Sequence, residues 1–192
     1  MTPQLVVLAG PNGAGKSTFY DVFLAGSPLR FLNADNVAGE TGIESLQAAR
    51  LLDAMRDQLI DDGIDFITET VFSDPHGAKL AMLERAARAG YAVVLVYIGI
   101  GSAELAERRV DARIALGGHD VPRDRIAARY VRSLDNLAKA VAFVPRVELY
   151  DNSSSGEPYR HVATFEAGAL TWRMRGVVPA WARRFVPRRK RR

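Results

Sequence analysis

The chain has 192 residues, of which 48% are hydrophobic, 25% are charged and none is cysteine. That length fits one α/β domain with a sizeable core, and the lack of thiols excludes a disulfide framework or a thiolate metal site and suits a cytoplasmic protein. The net charge of +4 hides an asymmetry: residues 173–192 hold nine Lys/Arg and no acid, leaving seventeen basic against twenty-two acidic side chains in residues 1–172.

Gln4–Ala9 is short, has no basic region before it and runs straight into glycines, so it reads as a buried strand rather than a signal peptide. No uncharged apolar run approaches the roughly 18 residues that span a bilayer. Five segments read as strands: Leu5–Ala9, Phe31–Ala34, Phe66–Glu69, Ala92–Ile98 and Val147–Tyr150. The first and fourth are nearly continuous in apolar residues, as parallel strands buried on both faces are.

Helical patterns fall between them. Thr41-Gly42-Ile43-Glu44 is a capping box, followed by apolar spacing at Leu46, Leu51, Met55 and Leu59. Asp74-Pro75 reads as a cap with proline at the first helical position, and Gly90 as a stop. Ser102 caps a helix to about Leu116, and Asp120 one towards Phe143. Strand and helix alternation predicts right-handed β-α-β units and a mostly parallel sheet. The helix-only stretch before the last of these strands has the form of a lid. Asn152–Pro158 is a loop by composition, His161–Phe165 reads as a sixth, edge strand, and Leu170–Pro187 has no firm assignment.

The most specific element is Gly10-Pro11-Asn12-Gly13-Ala14-Gly15-Lys16-Ser17-Thr18, which satisfies G-x-x-x-x-G-K-[ST] between a strand and a helix. Phosphate oxygens need several donors converging on a small volume, and a tightly curled backbone supplies them. The dipole of the following helix favours the same anion. Lys16 adds a point charge towards the β- and γ-phosphates and Ser17 a hydroxyl for Mg²⁺. These residues point to a nucleoside triphosphate, without separating kinase from ATPase or GTPase. The fold class is therefore α/β, a P-loop NTPase-type, mostly parallel sheet flanked by helices with a helical lid insertion. Residues 1–172 form its domain, with the lid at about 103–142 and a basic tail at 173–192.

Two carboxylates fall at strand ends, where ligands of open parallel sheets bind. Asp35 follows Phe31–Ala34, and Glu69 ends Phe66–Glu69 just before Thr70. Each suits accepting a hydroxyl proton, orienting a nucleophile or binding Mg²⁺ through water, against the plainer roles of turn cap for Asp35 and ion-pair partner for Glu69. The strand Ala92–Ile98 ends in Gly99-Ile100-Gly101, without the aspartate of a mechanical ATPase. Arg109 and Arg113 are spaced i, i+4, and Arg125, Arg129 and Arg132 i, i+4, i+7, so each set shares a helix face. Arginine forks suit phosphate oxygens, although some must simply pair with Glu107, Asp111, Asp124 or Asp135. His119 lies in the Gly117-Gly118 turn between the helices, while His76 and His161 show no metal-ligand spacing.

Together these stretches resemble the zeta-toxin family of P-loop kinases. The resemblance rests on Gly10–Thr18, Asn33-Ala34-Asp35, Thr68-Glu69-Thr70, Arg109-Val110-x-x-Arg113, Gly117-Gly118-His119-Asp120-Val121-Pro122, Arg129-Tyr130, Ser133 to Asn136 and Leu149-Tyr150-Asp151-Asn152. It implies a kinase using ATP or GTP with Mg²⁺, acting on a sugar hydroxyl of uridine diphosphate-N-acetylglucosamine or a related small molecule, and an antitoxin protein as partner. On that resemblance Lys16 is the phosphate-loop lysine and Asp35 the base. Glu69 and Thr70 are acceptor contacts, and Arg109 is the first nucleotide clamp, with the second between Arg113 and Arg129; His119, from its place in the Gly-rich turn, is either a contact to the acceptor or a plain loop residue. Two other readings remain beside it. One is a nucleotide-switched ATPase or binding protein. The other is a kinase of nucleic-acid ends that uses Arg188-Arg189-Lys190-Arg191-Arg192 to touch nucleic acid or an anionic surface.

Overall fold

A computed structural model describes residues 2–33, 45–115 and 123–187. Seven strands form one sheet: β1 (Gln4–Ala9), β2 (Arg30–Leu32), β3 (Phe66–Thr70), β4 (Ala92–Gly99), β5 (Arg146–Asp151), β6 (Arg160–Glu166) and β7 (Ala169–Arg173), in the order β2-β3-β1-β4-β5-β6-β7. The first five are mutually parallel, and β6 and β7 add an antiparallel extension. The sixth strand is present but is not the edge. That place belongs to β7, within the stretch that had no sequence assignment.

The helices are α1 (Lys16–Phe19, continued by a π-turn Tyr20–Leu24), α2 (Ser45–Asp61), α3 (Ala78–Arg88), α4 (Ala103–Ile114) and α5 (Arg123–Val141). Alternation along β1 sends Leu5, Val7 and Ala9 into one core and Leu8 into another. The first core gathers Phe66, Leu95, Tyr97, Val147 and Leu149 under Leu52 of α2, Leu83 of α3 and Leu137 of α5. The second gathers Ile67, Val96 and Ile98 under Phe19 of α1 and Ala106 and Val110 of α4. α5 serves both, with Ile126 in the second core and Leu137 and Ala140 in the first. It therefore runs past the carboxyl ends of the strands, as an element bordering a ligand site must.

Several boundaries differ from the sequence reading. The buried stripe of α2 is Ala48, Leu52, Arg56, Leu59 and Ile60, and Leu51 is exposed. The capping box at 41–44 lies outside the described residues, as do Leu116, Gly117, Gly118, His119 and Asp120. Asp74 does cap backbone, accepting from the amides of Ala78 at 2.7 Å and Lys79 at 3.3 Å. The helix nonetheless begins only at Ala78, so Pro75 lies in the turn before it. Gly90 and Ser102 act as expected. Gly90 leaves α3 at φ +87°, and the Ser102 hydroxyl accepts from the Leu105 amide.

The segment after β7 is not a solvated tail through Pro187. Val178, Trp181, Ala182 and Val186 are buried in the first core. Trp181 lies flat over Gly99, where a β-carbon would stand 2.3 Å from the indole. Its Nε1 donates to Asp151 at 2.9 Å. The lack of a side chain at Gly99 therefore makes room for the indole. Only residues 188–192 of the basic end lie outside the described residues.

Candidate active site

The phosphate loop leaves β1 between two neighbours. Gly10 adopts φ +147° and lies against the Ile98 carbonyl, only 2.2 Å from where a β-carbon would stand, so no other residue fits. On the far side of the loop the Asn152 amide donates to the Ala14 carbonyl at 2.8 Å and the Tyr159 hydroxyl to the Gly15 carbonyl at 2.9 Å. Burial raises the pKa of Tyr159, so its hydroxyl keeps the proton it donates. Arg109, on α4, donates to the Gly13 carbonyl at 3.3 Å. Side chains from α4 and from the β5–β6 connection, distant in sequence, thus hold three successive carbonyls of the loop.

Lys16 is 7% exposed. Its Nζ donates to the Pro11 carbonyl at 3.2 Å and lies 3.7 Å from Glu69 Oε1. The Ser17 hydroxyl donates to Glu69 Oε2 at 3.0 Å. Register explains the meeting: Glu69 pairs with Leu8 on the adjacent β1, one residue short of that strand's end. The acidic group beside the phosphate loop thus comes from β3, while β4 ends in glycine. Asn12 Oδ1 is buried and has no hydrogen-bond partner among the described residues.

Glu69 is held by a residue that the sequence reading missed. Arg56 on α2 is 3% exposed, and it donates Nε to Thr68 Oγ1, Nη2 to the Glu69 carbonyl and Nη1 to Asp53, each at 2.7 Å. Thr68 passes its own hydroxyl hydrogen to the Leu32 carbonyl at 2.9 Å. One fork therefore ties the end of β3 to the end of β2, the strand that leads to Asp35. Burial lowers the guanidinium's pKa, and Asp53 beside it acts in the opposite direction. The available signal was an arginine on the apolar stripe of an amphipathic helix.

Beyond Glu69 the chain turns sharply. The Thr70 hydroxyl accepts from the Phe72 amide at 3.0 Å, and Phe72 sits at φ +60°, an uncommon conformation for a bulky side chain. Helix α5 pins this turn. Asn136 donates to the Phe72 and Asp74 carbonyls, both at 3.1 Å, and Arg132 donates to the Ser73 carbonyl at 3.0 Å. Arg129, half-buried on the same helix, has no carboxylate partner among the described residues, and its pKa is lowered by burial and by the charges of Arg125 and Arg132. An arginine so placed gains from an incoming anion.

The structure therefore brings together Gly10–Thr18, Glu69, Thr70 and Arg109. Arg129 lies on α5, which anchors the turn after Thr70. Arg113 lies one turn beyond Arg109 on α4 and is exposed. Asp35 and His119 lie outside the described residues. Of the acids weighed as arginine partners, Asp111 pairs with Arg123 and Asp135 with Arg184. His161 meets Glu148 at 2.8 Å on the sheet extension. Among the described residues no group of three or more His, Cys, Asp or Glu is arranged to hold a metal, and no helix is long and apolar enough to cross a membrane.

Comparison with known proteins places this arrangement. Residues 32–162 match the model of the Zeta toxin family. An uncharacterized protein of Haemophilus influenzae is 28% identical over 136 residues, which cover 68% of this chain and 94% of that one. Among solved structures, a chain of the PezAT chromosomal toxin-antitoxin system of Streptococcus pneumoniae superposes with a TM-score of 0.59 at 19% identity, covering 78% of this chain and 68% of that one. A chain of the AvrRxo1-ORF1:-ORF2 complex with ATP gives 0.61 at 17% identity, covering 88% of this chain and 60% of that one. These likenesses confirm the P-loop kinase fold. Because the family match spans well over half of its length, the chain belongs to the Zeta toxin family.

Proposed function

We propose that this protein is an ATP-dependent phosphotransferase that moves the γ-phosphate to a hydroxyl of a sugar nucleotide resembling uridine diphosphate-N-acetylglucosamine, or of a related metabolite. The observation that carries this reading is the cluster of Lys16, Ser17 and Glu69 at the mouth of the curled loop, with the ammonium buried and the hydroxyl on the carboxylate. The residues fit a triphosphate and its cation. The buried ammonium of Lys16 suits phosphate oxygens, and the hydroxyl–carboxylate pair of Ser17 and Glu69 suits a hard divalent ion. Ser17 and Glu69 would hold magnesium, which supplies positive charge against the β- and γ-phosphate oxygens. Glu69 thereby moves from an acceptor contact, as the resemblance had it, to the donor side of the site.

The chain's own groups perform the rest. The acceptor oxygen attacks the γ-phosphorus while the bond to the β–γ bridging oxygen breaks, and Asp35 takes the hydroxyl proton. Lys16 and the arginines at 109, 113 and 129 offset the charge spread over the transferred group. Thr70, on the family likeness, and His119 are the candidate contacts to the acceptor. The solved ATP complex of a similar chain supports ATP as donor, and the PezAT pairing supports an antitoxin as partner.

The test is incubation with labelled ATP and a panel of sugar nucleotides, nucleosides and oligonucleotides, with mass spectrometry reading an added phosphate. Asp35→Asn is expected to keep nucleotide affinity and to lower turnover by about 10²-fold or more, the range that general base catalysis supplies. Full turnover in that variant removes Asp35 from the mechanism. Hydrolysis without any acceptor product would favour the nucleotide-switch reading instead.

A further inference from the structure

The segment that carries the basic residues before position 188 is packed onto the fold through Val178, Trp181, Ala182 and Val186. After β7 the chain folds back to seat Trp181 and leaves an open cavity of about 750 Å³ bordered by Arg173, Arg175 and Arg183 together with Met174, Val177, Val178 and Val186. No carboxylate lines it. Arg173 and Arg183 each donate to a backbone carbonyl, of Pro187 and Val178 respectively. Arg175 makes no hydrogen bond or ion pair among the described residues, and Val177 is 77% exposed. A second hollow of about 540 Å³ shares Met174–Val178 and Arg183 and reaches Gly101, Ser153, Asp151 and Arg160 at the carboxyl rim of the sheet. Arg160 pairs through its terminal nitrogens with Glu157 and Asp151, and its Nε is buried without a partner among the described residues. The one carboxylate on this hollow, Asp151, already accepts from Trp181, Ser153 and Arg160.

Three guanidinium groups around adjoining hollows, with the fourth, Arg160, already paired with Asp151 and Glu157, make a field that a neutral ligand does not use. Planar forks suit phosphate oxygens, because two parallel N–H groups meet two oxygens at once. The valines and Met174 offer apolar surface beside the charge, and the cavity has the size of small-molecule sites, roughly 300–1,000 Å³. We infer that the C-terminal segment forms a second anion site, separate from the phosphate loop, that binds a phosphate ester through Arg173, Arg175 and Arg183 with its organic part against Val177 and Val178. A phosphorylated metabolite and the phosphodiester chain of a nucleic acid share this chemistry.

The test uses the full chain carrying Lys16→Ala, so that the phosphate loop does not contribute, and titrates it calorimetrically at low salt with inorganic pyrophosphate and, separately, with a 12-nucleotide oligothymidylate. Binding in at least one arm is expected, and the arm that gives the tighter complex identifies the source. Adding Arg175→Glu should weaken that binding by about tenfold or more, the worth of a charge-assisted pair. Arg175 is exposed and unpaired, so the variant is expected to unfold at the parent's temperature; Arg183→Gln gives a second, milder reading. With Lys16 restored, the Arg175→Glu chain should bind ATP as the parent does, which separates this site from the proposed kinase activity. No heat from either ligand, or an affinity within twofold of the parent in both variants, overturns the proposal.

Discussion

At the carboxyl end of β1 a single ammonium, Lys16, is almost wholly buried between a carbonyl and a carboxylate, inside a loop whose carbonyls are held by Asn152, Tyr159 and Arg109. In the C-terminal segment three guanidinium groups border an open cavity and lean on carbonyls or on nothing. Both regions are cationic, yet they differ in what a charge costs and what it supplies. A buried charge must be compensated before any ligand arrives, and in return it acts in a medium where little water competes. An exposed one requires no compensation, and salt screens it. Substitutions should therefore be severe and local at the loop, mild and additive at the segment.

The sharpest way to break this contrast is Lys16→Ala. It removes the compensated charge, leaves Glu69 facing only Ser17 and deprives the phosphates of their one buried cation. Phosphotransfer measured as kcat/KM is expected to fall by roughly 10³-fold, at the upper end for loss of one preorganised charge-stabilising group, and calorimetry should show nucleotide binding lost with it. A variant that still binds and turns over ATP would mean that the loop amides alone hold the phosphates.

Arg56 extends the comparison to a buried cation that touches no phosphate. Arg56→Ala strands the Thr68 hydroxyl and the Glu69 carbonyl inside the fold, and urea unfolding should report a loss of about 3 kcal/mol, typical of hydrogen bonds to a charged group. Arg56→Lys keeps the charge but cannot make the three-way fork. It is expected to recover much of the stability while turnover stays low, because the ends of β2 and β3 are no longer tied together. Equal recovery of both would reduce Arg56 to a stability role.

The two regions were also unequally legible in the sequence. The phosphate loop announces itself, since curled backbone demands glycine at fixed intervals and the lysine and serine follow at a fixed distance. The runs in β1 and β4 were readable because strands buried on both faces need no polar alternation. Glu69 could be placed at a strand end, but its contact with Ser17 depends on β3 lying beside β1 in one particular register, which no local pattern states. Asn152 and Tyr159 reach the loop across more than a hundred residues and left only a loop-like composition behind. The C-terminal segment went unassigned because its arginines interrupt any apolar pattern. Val178, Ala182 and Val186, spaced four apart, were the core signal, masked by Pro179 and by a length too short to read as a helix. Asp35 and His119, named from the sequence and, for Asp35, the family likeness, lie outside the described residues, so their roles rest on those readings.

Gly99→Ala probes how firmly the segment is seated. The added methyl would stand 2.3 Å from the Trp181 ring, closer than real contacts allow, so either the indole or β4 must move. Overpacking of this kind costs roughly 1–3 kcal/mol. The same shift should disturb the Trp181–Asp151 hydrogen bond and so change tryptophan fluorescence without altering the phosphate loop. An unchanged melting temperature would show that the segment packs loosely.

The smallest effect belongs to the segment's surface. Arg184 pairs with Asp135 on α5 at 3.0 Å, but the two side chains are 46% and 51% exposed. Water and salt screen such a pair, and holding two long side chains together costs entropy, so it contributes about 0–1 kcal/mol at most. Arg184→Ala should therefore change chemical unfolding by about 0.5 kcal/mol or less, with the difference vanishing as salt is raised. A larger, salt-independent loss would place Arg184 among the groups that clamp the segment to α5. The contrast between a compensated loop and an uncompensated tail would then need redrawing at that contact, since the stacking of Arg184 over Phe185, 5.2 Å from the ring centre, would be contributing packing rather than charge.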